Sequence, residues 1–194
     1  MLYQAEIDNP FVSARYRQHQ YVEELFGNVR PREYVWGEAD DLLFLRRIIP
    51  TDDLDWYPVM LPPVNSMITI LVEARARRPI QLRLRGRPTI SDPLENIAWM
   101  ERTGIAIGLN VAHCEVETGP VCIEKPHMVR MWGQDRPRHR RAFSLLVTRF
   151  MAIAKVTDPQ RFEQGLTRGI GDSKAFGFGF IHFWLRGQQN ARNS

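Results

Sequence analysis

The sequence predicts an α+β sandwich, on three observations. Strand-like stretches alternate with helix-like ones, the second half repeats the order of the first, and many connections are too tight for long crossovers. The 194 residues allow one ordinary domain or two small ones. Hydrophobic residues make up 44% and charged residues 25%, a composition that supports a packed core without disulfides or a structural metal.

Leu2–Ile7 reads as the first strand. Ser13 is placed to cap a helix that runs to about Phe26, with Val22, Leu25 and Phe26 among its apolar positions. Asp41–Ile49 reads as a second strand, and the prolines Pro58, Pro62 and Pro63 mark a connecting loop. Met67–Glu73 and Ile80–Arg87 follow as strands, the latter alternating leucine with arginine so that one face is apolar and the other basic. In the second half, Ser91 or Asp92 opens a helix over Pro93–Thr103, with Gly104 as its stop. Ile105–Ala112 and Glu115–Ile123 are strand-like, and an Arg-rich loop leads to a long strand, Ala142–Lys155. Asp158 caps a helix to about Arg168, a glycine-rich loop follows, and Ala175–Leu185 closes as a strand.

Charge is unevenly spread. The formal net charge is +4, but residues 74–91 and 130–141 hold dense arginine clusters while Asp40, Asp41, Asp52, Asp53 and Asp55 crowd one acidic stretch. Clustered arginine on a nearly balanced background points to a polyanion-binding face. The acidic stretch offers a rival reading, a two-metal nuclease, although such clusters are usually solvated turns. Cys114 and Cys122 are the only cysteines, which excludes a disulfide framework and fits a reducing compartment. Zinc is disfavoured because His113 and Cys114, adjacent on a strand, point to opposite faces. No apolar run is long enough to span a bilayer, and the opening residues carry no basic stretch followed by an apolar one. The expectation is a soluble cytoplasmic protein with no membrane association, no bound metal and no cofactor.

The most specific local feature is the run Gly169–Gly179, in which Gly169, Gly171, Gly177 and Gly179 flank a stretch containing Ser173 and Lys174. Glycines let backbone amides approach phosphate, and a lysine adds a point charge. The run is neither a Walker A loop nor a dinucleotide fingerprint, since Lys174 stands where the third glycine of the latter belongs. A tight helix-to-strand turn without a ligand explains the glycines equally well.

Paired glycines after the last helix resemble the signature loop of the repeat-associated RNA-binding superfamily of CRISPR endonucleases. Three further stretches resemble its CasE branch, in family order: Tyr16–Gln20, containing a Tyr-x-x-His segment; Leu82–Pro88, like an R-L-R-x-x-P strand; and Glu95–Arg102, like an E-x-I-A-W-L helix. The resemblance implies two tandem ferredoxin-like halves. These are placed at residues 1–90, carrying the catalytic helix, and 91–186, carrying a basic hairpin and the glycine loop, ahead of a polar tail at 187–194. It also implies metal-independent cleavage of the CRISPR repeat RNA stem-loop, leaving a 2′,3′-cyclic phosphate and a 5′-hydroxyl. The product is expected to be handed to Cascade-type protein subunits, with no DNA contact by the isolated protein.

Carried over residue by residue, the resemblance places catalysis at His19, Tyr16 and Lys174. RNA contacts fall to Arg17, Arg83, Arg85, Arg87, Arg130, Arg136, Arg138, Arg140 and Arg141, with Gly169, Gly171, Ser173, Gly177 and Gly179. The chemistry is compatible: residues three apart on a helix share a face, and imidazole suits proton transfer near neutrality. Glu23, one turn beyond His19, is placed to raise its basicity. His113, His127, His139 and His182 lack such a context and read as structural or solvated. The alternative function is a non-catalytic stem-loop-binding subunit of the same fold.

Overall fold

The structure, a computed structural model, describes residues 1–12, 14–26, 34–77, 89–131 and 134–186, with the backbone alone over 125–131 and 134–141. Ser13, the stretch Ile80–Arg87 with Arg83, Arg85 and Arg87, and the tail from Gly187 lie outside the described residues.

Two four-stranded antiparallel sheets carry the fold, which is that of tandem ferredoxin-like halves. The first comprises β1 (Tyr3–Asp8), α1 (Arg15–Phe26), β2 (Tyr34–Ala39), β3 (Leu42–Arg47) and the short β4 (Tyr57–Pro58), in sheet order β2-β3-β1-β4. The second comprises β5 (Met67–Ala74), α2 (Pro93–Ala106), β6 (Leu109–Met131), β7 (Gln134–Val156), α3 (Pro159–Arg168) and β8 (Ile181–Leu185), in order β6-β7-β5-β8. A 3-10 turn, Lys174–Phe176, precedes β8. β5 hydrogen-bonds between β7 and β8, so the first sheet ends at Pro58 and the second begins at Met67.

Alternation sets each face. In β5, Ile68, Ile70, Val72 and Ala74 point inward and are fully buried with Phe150, Ala152 and Ala154 of β7, under Met100 of α2 and Phe162 and Leu166 of α3. The Asp92 carboxylate caps α2 by accepting from the Glu95 amide, and Asp158 caps α3 through the Gln160 and Arg161 amides. In the first sheet, Val22 of α1 covers Tyr34, Trp36, Leu43 and Leu45.

Several elements depart from expectation. β2 is a strand the sequence conceals, since Gly37 interrupts its apolar run; a Cβ there would sit 2.6 Å from that of Phe180. α2 runs past Gly104, whose missing side chain lets the helix lie on Val111, and the strand after it begins only at Leu109. The Arg-rich stretch, read above as a loop and, from the resemblance, as a basic hairpin, is paired strand: β6 and β7 pair from Leu109↔Val156 out to Met131↔Gln134. β5 stops against Thr148, so the outer part of the hairpin is a two-stranded ribbon, and it carries Arg130, Arg136, Arg140 and Arg141 in its ladder, with Arg138 at a register shift. Finally, residues 176–180 are not strand but turn, and β8 begins at Ile181. Among the described residues no helix is long and apolar enough to cross a membrane.

The two sheets are clamped around Arg46, whose side chain is almost wholly buried. It donates to Gln4 Oε1 (2.7 Å) and to the Ile181 carbonyl, and its guanidinium lies over the Phe180 and Phe183 rings at 4.2 and 5.7 Å. Burial pushes it down to about 9, still a cation at neutral pH. His182 packs between Phe44 and Phe180, and burial, then the Arg46 charge, pushes its imidazole down to about 4. An unfolded imidazole takes its proton near pH 6.5, so between roughly pH 6.5 and 4 the unfolded chain binds more protons than the folded one. Stability should thus fall as pH drops through that window, by at most about 1.4 kcal/mol per pH unit. Melting temperatures of wild type and His182→Gln across pH 4–7.5 check this: the variant should lose part of the acid sensitivity.

Candidate active site

α1 packs with two faces. Gln18 and Val22, one turn apart, are fully buried against the first sheet, where Gln18 Nε2 donates to Glu38 Oε1 (2.9 Å) and to the Phe11 carbonyl (3.0 Å). Tyr16, His19 and Glu23 lie on a neighbouring face, turned toward the β6–β7 hairpin and the 3-10 turn. Tyr16 packs against a small core of Ile123, Leu145, Val147 and Phe178. The His19 ring meets Phe176 edge-on at 5.4 Å and Tyr16 at 6.1 Å, and its Nε2 lies 3.3 Å from Glu23 Oε2. With its side chain 14% exposed, His19 is held but open on one side. A carboxylate at that nitrogen fixes the ring's orientation.

Arg15 locks this helix in place, a role that sequence spacing does not reveal because its partners come from two other strands. Its guanidinium bridges Glu38 of β2 (3.3 Å) and Glu73 of β5 (2.8 Å) and lies 5.2 Å over the Phe178 ring. Glu73 also holds the glycine loop, since its carbonyl accepts from the Gly179 amide at 2.6 Å. Arg15 thus ties α1, β2, β5 and the loop together.

The glycine loop is built for close packing. Its amides at Ile170, Asp172, Phe176, Gly177 and Gly179 donate to carbonyls of Gly179, Arg75, Ser173, Lys174 and Glu73 respectively. Gly177, at φ +77°, lies face-on to Trp36, where a Cβ would come within 2.5 Å of the ring. Gly179, at φ +85°, lies against the Ile170 carbonyl, where there is no room for a Cβ. Gly169 ends α3, and Gly171 lies against the Arg75 backbone. Ser173 starts the 3-10 turn in a left-handed conformation. The loop's chief polar offering is therefore Lys174. Burial lowers its pKa from the ordinary lysine value, with Asp172 working against that shift and Arg168 with it. Asp172 itself also pairs with Arg77 Nε at 2.7 Å.

The structure brings His19, Tyr16 and the Lys174–Phe176 turn together at the root of the basic ribbon. Arg17 is on the other side of α1, exposed and stacked on Phe11 at 5.9 Å. The acidic residues have other roles: Asp40 and Asp41 form the β2–β3 turn with positive φ. Among the described residues no group of three or more His, Cys, Asp or Glu is placed to hold a metal ion. His113 pairs with Glu115 at 3.3 Å, while burial, then Glu101 and Glu115, pushes the Cys114 thiol up to about 11.

A family model described as CRISPR associated protein matches residues 44–183. No curated protein sequence matches the chain. Among solved structures, the CRISPR endoribonuclease Cse3 bound to a 19 nt RNA is 15% identical with a TM-score of 0.67, covering 94% of this chain and 98% of that one. Cas6e from Escherichia coli str. K-12 is 15% identical, with a TM-score of 0.62 and coverage of 94% and 99%. A chain of E. coli Cascade bound to a PAM-containing dsDNA target is 14% identical, with a TM-score of 0.55 and coverage of 94% and 98%. At these identities the likeness is one of fold.

Proposed function

Because this chain belongs to the CRISPR-associated protein family, we propose that it is an endoribonuclease that cuts CRISPR repeat stem-loops in precursor RNA without a metal ion. The observation that carries this reading is the meeting of His19 and Tyr16, from the first half, with the Lys174–Phe176 turn of the second, beneath the arginine-bearing ribbon. Solved structures of the same fold are named as endoribonucleases and as parts of Cascade, which supports the same substrate and a Cascade-type assembly for the product.

The chemistry needs no cofactor. The ribose 2′-hydroxyl attacks the adjacent phosphorus, its proton leaves to a base, and the 5′ oxygen departs with a proton from an acid. The products are a 2′,3′-cyclic phosphate and a 5′-hydroxyl. His19, oriented by Glu23, performs one of these transfers, and Tyr16 orients the ribose or shares the proton work. Lys174 offsets charge on the pentacoordinate phosphate, worth more in a half-buried cleft than in water. The ribbon arginines Arg130, Arg136, Arg138, Arg140 and Arg141 grip the stem through phosphates, since A-form RNA hides its base edges.

The test is cleavage of repeat RNA in excess EDTA with product ends mapped, beside a substrate carrying a 2′-deoxy nucleotide at the cut. Cutting of the first to a cyclic phosphate and none of the second is expected. Cleavage only after metal is restored would overturn the mechanism, and tight binding without cutting would favour a silent binding subunit. RNA affinity should also fall steeply with salt, and replacing Arg138 and Arg140 together by Ala should reduce the log–log slope by about 1–2 units. An unchanged slope would remove those two from the phosphate contacts.

A further inference from the structure

Beside the His19 centre lies a cleft of about 590 Å³ whose walls come from both halves: Tyr34 and Trp36 of β2, Ile48 and Ile49 just after β3, and Phe178 of the glycine loop. Lys174 and Arg168 stand at the same cleft. We propose that this cleft is a nucleotide subsite, taking one unpaired base of the bound RNA between its apolar walls and that nucleotide's phosphate on Lys174 and Arg168. The proposal rests on the RNA-cleaving reading above and deepens it.

Three features of the cleft select this occupant. Its volume is ordinary for a small-ligand pocket and ample for one nucleotide. Its exposed apolar wall is Ile48 and Ile49, with Tyr34, Trp36 and Phe178 buried behind it, and a base buries its flat faces well against apolar surface. Its charged lining residues are both cations, and Asp172, the carboxylate that acts on Lys174, also pairs with Arg77. Apolar walls beside a paired cationic rim match a base joined to a phosphate, whereas an apolar protein side chain would leave both cations uncompensated. A base inside a duplex has both faces covered, so only an unpaired nucleotide has the surface this cleft accepts.

The cleft shares Phe178 with the small core against which Tyr16 packs. Lys174 opens the turn whose last residue, Phe176, touches His19. A nucleotide seated here would fix the chain next to the scissile phosphate, converting stem binding into alignment of one linkage. Ile49 forms the outer lip, 67% exposed, so it can be changed without disturbing the core.

The experiment places 5-iodouridine singly at each position across the cleavage site of the repeat RNA encoded with this protein. The RNA is cross-linked to the intact protein, and the attached peptides are mapped. One unpaired position should cross-link to the segment Tyr34–Trp36 or to Phe178. Ile49→Glu should abolish that cross-link and weaken RNA binding by roughly tenfold, while the ribbon cross-links persist. Leu94→Glu, at a residue 76% exposed on α2, should change neither. RNA that is bound and cut without any cross-link in the cleft, a cleft cross-link from a stem position, or one that survives Ile49→Glu would overturn the subsite while leaving the nuclease reading intact. RNA that is neither bound nor cut would overturn both.

Discussion

His19→Ala will lose roughly 10²–10⁴-fold in single-turnover cleavage rate with little change in affinity for the repeat RNA. The ring touches Phe176 and Tyr16 from one side and Glu23 from another, yet it belongs to none of the buried clusters that hold the halves together. Its removal should therefore leave the melting temperature within a few degrees of wild type. A fall in rate at constant affinity and stability would then report proton transfer and not lost architecture. An unchanged rate would take His19 out of the mechanism and favour the stem-loop-binding alternative.

Gly179→Ala will destabilise the fold by about 2–4 kcal/mol, because the left-handed backbone and the missing space act together. The new methyl would drive into the Ile170 carbonyl at a residue with φ +85°. Its amide would have to keep its 2.6 Å hydrogen bond to Glu73 while the chain moved aside. In a chain of this size that cost corresponds to a fall in melting temperature of roughly 5–15 °C. Thermal unfolding measures it directly. A loss of RNA binding at unchanged melting temperature would instead mean that the glycine is there for the ligand.

Legibility differed between the parts of the molecule for physical reasons. β5, α3 and most of α1 were readable because local alternation or helical spacing, with caps such as Asp158, coincides with tertiary burial. β2 was hidden because Gly37 serves a partner, Phe180, that sequence spacing cannot reveal. The stretch Ala175–Leu185 reads as one strand, yet positive φ at Gly177 and Gly179 turns its first part, so that Phe176 and Phe178 pack toward the hairpin and Phe180 toward Phe44 of β3. β5 reads from its alternation as one more strand of the first half, and only its hydrogen bonding to β7 and β8 places it in the second sheet. That Tyr16 and His19 share one face of α1 was legible from their spacing. Arg15 was not, since its meaning depends on Glu38 and Glu73, which converge only in three dimensions.

The clamp around Arg46 bears on how the protein is made. Its guanidinium is bonded to a carbonyl 135 positions further along the chain, and His19 meets a ring on a turn synthesised almost as late. Neither half can settle its part of that seam alone, so a chain emerging from the ribosome carries Arg46 and His19 long before the carbonyl and the ring they meet. Contacts of such long range are the slow ones to form. The seam can thus close only once the last strand has been made.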